Sequence, residues 1–100
     1  MRKDYAKDVE GGAPVRMRYT IAGRLDVPAY LAFVAERAGW LDLAGWAAAD
    51  GDGVTLVAAG PEALVGALEM ACTLGPLGMV VERIEGVSFA GAVGAGFEIR

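Results

Sequence analysis

Between Val15 and Ile21 every second side chain is apolar: Val15, Met17, Tyr19 and Ile21 fall on one face, Arg16, Arg18 and Thr20 on the other. A period of two marks a strand that buries one face, and Gly23 ends it. Asp26-Val27-Pro28 then reads as a helix start. An Asp side chain caps free backbone amides, and a proline in the first turn gives up only an N–H that has no partner there. Val27, Leu31, Val34 and Ala38 recur at helical spacing as a buried stripe, with Glu36 and Arg37 turned outward, and Gly39 marks the stop. A strand that passes straight into a capped helix must bring the chain back to the same sheet, and this sets the frame for everything downstream.

Two short apolar runs, Gly45 to Ala49 and Val54 to Ala59, flank Asp50-Gly51-Asp52-Gly53, the pattern of a β-hairpin. Gly60-Pro61-Glu62 opens a second helix with two neighbouring stripes, Leu64-Leu68-Ala71 and Ala67-Met70-Leu74, and Gly75-Pro76 ends it. Met79 to Val87 is a further strand, Ala90 to Gly96 a loop of small residues, and Phe97 to Arg100 a short terminal strand. The order β-α-β-β-α-β has one common solution: an α+β, ferredoxin-like split β-α-β sandwich, with an antiparallel sheet and two helices on one face. Residues 1–14 are polar and end in Gly-Gly-Ala-Pro, a flexible lead-in, and residues 15–100 form the domain.

Composition narrows the chemistry. The 100-residue chain contains no histidine, asparagine or glutamine, a single cysteine, Cys72, and a single serine, Ser88. Imidazole bases, serine and cysteine triads and histidine zinc sites are therefore excluded, as are an intrachain disulfide and a Cys-x-x-Cys pair. Cys72 lies in an apolar helix without a cationic neighbour and reads as a core thiol. Asp50 and Asp52 read as turn formers, so no metal and no cofactor are expected.

A net charge of −4 and a pI near 4.6 argue against a nucleic-acid backbone binder, with Arg16, Arg18 and Arg24 read as a solvated strand face. The order of elements is shared with RNA-recognition domains, but the strands lack the paired aromatics that stack on bases. Mean hydropathy is +0.41, yet the longest charge-free runs, Met70 to Val81 and Gly86 to Phe97, contain glycine and fall short of the roughly 20 apolar residues of a spanning helix. The charged start, MRKDYAKDVE, has no apolar signal core. The expectation is a cytoplasmic protein with no membrane partner. Among the aromatics, Trp46, Phe33 and Phe97 are expected in or beside the sheet-helix core, and only Trp40 and Tyr30 are candidates to face a cleft or partner, with packing the more common outcome for each.

From about Arg18 to Arg100 the chain resembles the acylphosphatases. Tyr19-Thr20-Ile21-Ala22-Gly23-Arg24 is similar to the family's first strand and the Gly-Arg that opens its phosphate loop. Ala32-Phe33-Val34-Ala35 is similar to its first helix, Leu43-Ala44-Gly45-Trp46 to the start of its second strand, and Gly60-Pro61-Glu62-Ala63-Leu64 to the start of its second helix. Gly75-Pro76-Leu77 and Phe97-Glu98-Ile99-Arg100 match later signatures, and from Phe33 to Trp46 the match has no gap.

The same resemblance locates the departures. In typical acylphosphatases the loop reads Gly-Arg-Val-Gln-Gly-Val-Gly-Phe-Arg, and its amides and final arginine hold the phosphate. Here it reads Gly23-Arg24-Leu25-Asp26-Val27-Pro28-Ala29-Tyr30-Leu31, so the arginine position is Leu31, Pro28 removes an amide donor and Asp26 adds a negative charge. The family's water-orienting asparagine corresponds to Ala49. Losing one donor to a transferring phosphoryl group costs roughly 10²- to 10³-fold, about 3 to 4 kcal/mol. The resemblance therefore implies a catalytically degenerate acylphosphatase-like domain that serves as a small-ligand or protein-binding or dimerising module. Arg24, Asp26 and Tyr30 are its ligand-contact candidates, beside Val27, Leu31 and Ala49 in an apolar pocket. The alternative is an acylphosphatase-type hydrolase that uses Arg24 as phosphate ligand and Asp26 or Asp50 as base.

Overall fold

The computed structural model describes residues 12–100. Strand β1 (Pro14–Arg24) passes into helix α1 (Val27–Trp40). The hairpin of β2 (Ala44–Asp50) and β3 (Gly53–Pro61) follows, then α2 (Glu62–Leu74), β4 (Val80–Ser88) and β5 (Phe97–Ile99). The sheet order is β4-β1-β3-β2-β5. The first four strands pair antiparallel, with Tyr19 opposite Leu56 and Gly86, and Ala47 opposite Leu56. This is the expected α+β sandwich.

The terminal strand makes the sheet mixed, because β5 pairs in parallel with β2, Gly45 opposite Phe97. β4 finishes at one edge and β5 begins at the other, so residues 89–96 cross beneath the end of the sheet and deliver β5 in the direction of β2. The bulk of the lead-in, residues 1–11, lies outside the described residues. The carbonyl of Ala13 accepts the amide of Glu62 at 3.0 Å, and Pro14 already pairs with Pro61.

The core forms where the alternating faces of β1 and β3 meet the helices: Tyr19, Ile21, Val54 and Leu56 pack with Val34 and Leu68, all at 2% exposure or less. In α1 the buried residues are Tyr30, Leu31, Val34 and Ala38, close to the expected stripe. In α2 they are Val65, Leu68 and Cys72, which corrects the expected stripes; Met70 and Leu74 are exposed. Only Glu62, Glu69 and Thr73 among the residues of α2 are polar, so hydrophobic periodicity cannot fix which side faces the sheet.

Close approach shapes the start of β2. Gly45 has φ +138°, and a β-carbon there would overlap the carbonyl oxygen of Val57 on the neighbouring strand, a place only glycine fills.

Candidate functional site

Three chain reversals share one end of the sheet: the β1–α1 junction, the β2–β3 turn and the α2–β4 loop. Ile21 pairs with Val54, and Val54 with Ala49, so Ala49 lies two strands from β1 at the end where β1 finishes with Arg24. Ala49 is exposed and shares its face with the buried Ala47.

Between Arg24 and α1 there are only two residues, Leu25 and Asp26. Asp26 takes an extended conformation, φ −83° and ψ 97°, as N-cap. Its carboxylate accepts the amide of Ala29 at 3.3 Å, and its carbonyl accepts the amide of Tyr30 at 2.8 Å. With Pro28 in the first turn and Asp26 on the Ala29 amide, the helix end holds a carboxylate of its own where an anion would otherwise find donors. Gly23 is needed for close contact: a β-carbon would overlap the carbonyl oxygen of Val80 on β4. Beside it the β1–β4 register shifts between Ala22 and Gly23.

The candidate residues divide sharply. Arg24 stands in water, its side chain 79% exposed and 3.9 Å from the carboxylate of Glu82. Asp26 is exposed as well. Tyr30 is not a surface residue, which corrects its candidacy as a ligand contact. It is fully buried, and its hydroxyl donates to the carbonyl of Cys72 at 2.7 Å, spanning the two helices. Its aromatic ring supplies core volume and the one hydroxyl finds a backbone acceptor, a stable arrangement for a buried tyrosine. Leu31 is 7% exposed inside the same core, so neither residue is free to line a pocket. Asp50 is occupied by its own hairpin, accepting a hydrogen bond from Thr55 Oγ1 at 3.1 Å.

Burial pushes the Tyr30 hydroxyl well above the usual tyrosine range, with Cys72 adding to the effect. Burial likewise raises Tyr19, whose hydroxyl donates to Glu69 Oε1 at 3.0 Å. The Cys72 thiol, fully buried, is pushed up to about 12 by desolvation, the opposite of an activated nucleophile. Among the described residues no group of three or more acidic or cysteine side chains is placed to hold a metal ion, and no helix is long and apolar enough to cross a membrane.

Solved structures identify the frame. No protein-family model and no curated protein sequence matches the chain. An acylphosphatase from Bacillus subtilis superimposes with a TM-score of 0.78 at 26% identity, over 86% of this chain and 98% of that one. The chain is an acylphosphatase-like domain. An acylphosphatase from Coxiella burnetii matches with a TM-score of 0.81 at 22% identity, over 92% and 96% of the two chains. Full-length HypF, in a phosphate- and nucleotide-bound form, matches with a TM-score of 0.80 at 18% identity; the acylphosphatase-like domain covers 12% of it.

Sequence reasoning missed two further features of the acylphosphatase-like domain. Arg37, read as turned outward, stacks between Phe33 and Trp40 with its guanidinium carbon 4.7 and 4.5 Å from the ring centroids. The i, i+4, i+7 spacing of these three residues was the available signal. Trp40 is 67% exposed. Trp46 lies opposite Val57, as does Arg18, which puts it on the face away from the helices, with Arg100 over its ring at 4.7 Å. Secondly, the crossing segment 89–96 walls two cavities at the other end of the sheet. One, of about 270 Å³, is lined by Trp46, Gly96 and Arg100 among others, and one, of about 780 Å³, by Arg16, Glu62 and Phe89 among others.

Proposed function

We propose that this acylphosphatase-like domain does not hydrolyse acyl phosphates and works by binding. The observation that carries the reading is the burial of Leu31. At the position where the resemblance places the phosphate-holding arginine stands an apolar side chain, 7% exposed, packed in the core. Asp26 on the Ala29 amide and Pro28 in the first turn support it, because both reduce what the helix end can offer a phosphoryl group. Ala49 in place of the water-orienting asparagine supports it further, since the hydrolysis needs a positioned water as well as a held phosphate. Arg24 and Asp26 are accessible polar groups at this end and are the contacts proposed for a ligand.

Hydrolysis of a small aryl acyl phosphate such as benzoyl phosphate at neutral pH tests the reading, with wild type beside R24A. The expected rate is that of buffer alone for both. An enzymatic rate in the wild type that falls by about 10²-fold or more in R24A would overturn it in favour of a hydrolase built on Arg24.

A further inference from the structure

Among the described residues β4 is the long edge of the sheet: nine residues, Val80–Ser88, paired there with β1 on one side only, whereas the opposite edge is the three-residue β5. Val80 and Val87 are 46% and 52% exposed on it. The edge has a defined hydrogen-bonding phase. Phe89 donates its amide to the carbonyl of Arg16 at 3.0 Å, one step beyond the Met17–Ser88 pair. Hydrogen-bonded pairs alternate along an antiparallel ladder, so Val87, Glu85 and Arg83 turn their amides and carbonyls toward β1. Ser88, Gly86 and Ile84 turn theirs outward.

We propose that β4 pairs antiparallel with β4 of a second copy of this chain, about a two-fold axis at Ile84. In that register Ile84 faces Ile84 of the second copy as a hydrogen-bonded pair, and Arg83 faces Glu85 of the second copy on each side of the axis. Facing residues in an antiparallel pair are alike in phase, which leaves few competing two-fold registers. An axis at Glu85 sets Glu85 against Glu85, an axis at Arg83 sets Arg83 against Arg83, and an axis at Gly86 leaves both charges opposite apolar residues. Only the axis at Ile84 makes two opposite-charge pairs, each at a non-hydrogen-bonded position where the side chains come closest.

Arg83 and Glu85 are exposed and form no salt bridge among the described residues, where the ion pairs are Arg24–Glu82 and Glu98–Arg100. Charges on an edge strand ordinarily block strand addition. The order Arg83-Ile84-Glu85 is complementary to its own antiparallel copy, so here the same charges select a single partner and register. The proposal names the partner of the binding module inferred above. Mass tests it where hydrolysis tested the other, so a monomer would remove the dimer and leave the loss of hydrolysis standing.

Sedimentation equilibrium of the full chain at low salt, from about 10 µM to 1 mM, suits an interface at the small end of the size range. The expected result is a mass rising from monomer toward dimer. R83E and E85R each bring like charges together twice and are expected to weaken association by about tenfold or more, with unchanged thermal unfolding at low concentration because both sites are exposed. The swap R83E/E85R re-forms both pairs with reversed sign and is expected to return within about threefold of wild type. A monomer at every concentration overturns the proposal. So does a swap that stays folded yet fails to restore the dimer, or a dimer insensitive to R83E and E85R that M70K/L74K on α2 dissolves.

Discussion

Leu31 places a requirement on this domain that a catalytic arginine would break. Its side chain belongs to the cluster built from Tyr19, Tyr30 and Val34, and a guanidinium there would have to leave water for apolar surroundings. L31R is expected to cost about 2 to 4 kcal/mol of unfolding free energy, measured by urea denaturation, without producing acyl phosphate hydrolysis. The resemblance made Leu31 legible as a departure, but its depth was hidden. Leu31 fell on the expected stripe of α1, while Tyr30, one residue earlier, gave no sign that its hydroxyl would reach across to the carbonyl of Cys72. A contact 42 residues away in sequence leaves no local trace.

At the scale of elements, what could be read in the sequence depended on contrast. β1 alternates apolar and charged residues, and its buried face was legible; α1 carries Asp26 and Pro28 at its start, and its boundary was legible. α2 has almost no polar side, so its existence could be read and its phase could not. β5 was visible as a segment, but its parallel pairing depends on how residues 89–96 run beneath the sheet, a tertiary outcome. The cap of α1 gives a direct test. D26A removes the acceptor of the Ala29 amide and is expected to lower stability by about 1 kcal/mol, read as a lower urea midpoint with an unchanged slope.

For the molecule as a whole, the buried ionisable groups set how stability follows pH. Tyr19, Tyr30 and Cys72 are each neutral when protonated, and burial raises each above its ordinary value, Cys72 from 9.0 to about 12. The folded chain therefore keeps these protons to higher pH than the unfolded chain does. Their contribution is complete below about pH 9 and is lost as pH rises through the alkaline range. With no histidine in the sequence, no imidazole titrates near neutrality. Thermal unfolding followed against pH is expected to show a midpoint that declines steadily above pH 9, and C72A is expected to move the onset of that decline toward the tyrosine range, near pH 10.

The unequal edges of the sheet decide how far self-association can run. After two copies join through β4, the outward margins of the ten-stranded assembly are the two three-residue β5 strands. Each offers too few backbone groups to template another chain. In the proposed pair the long edge is consumed in the first contact, so growth would stop at two. A strand short enough to look dispensable is thus what separates a closed pair from an open-ended fibre.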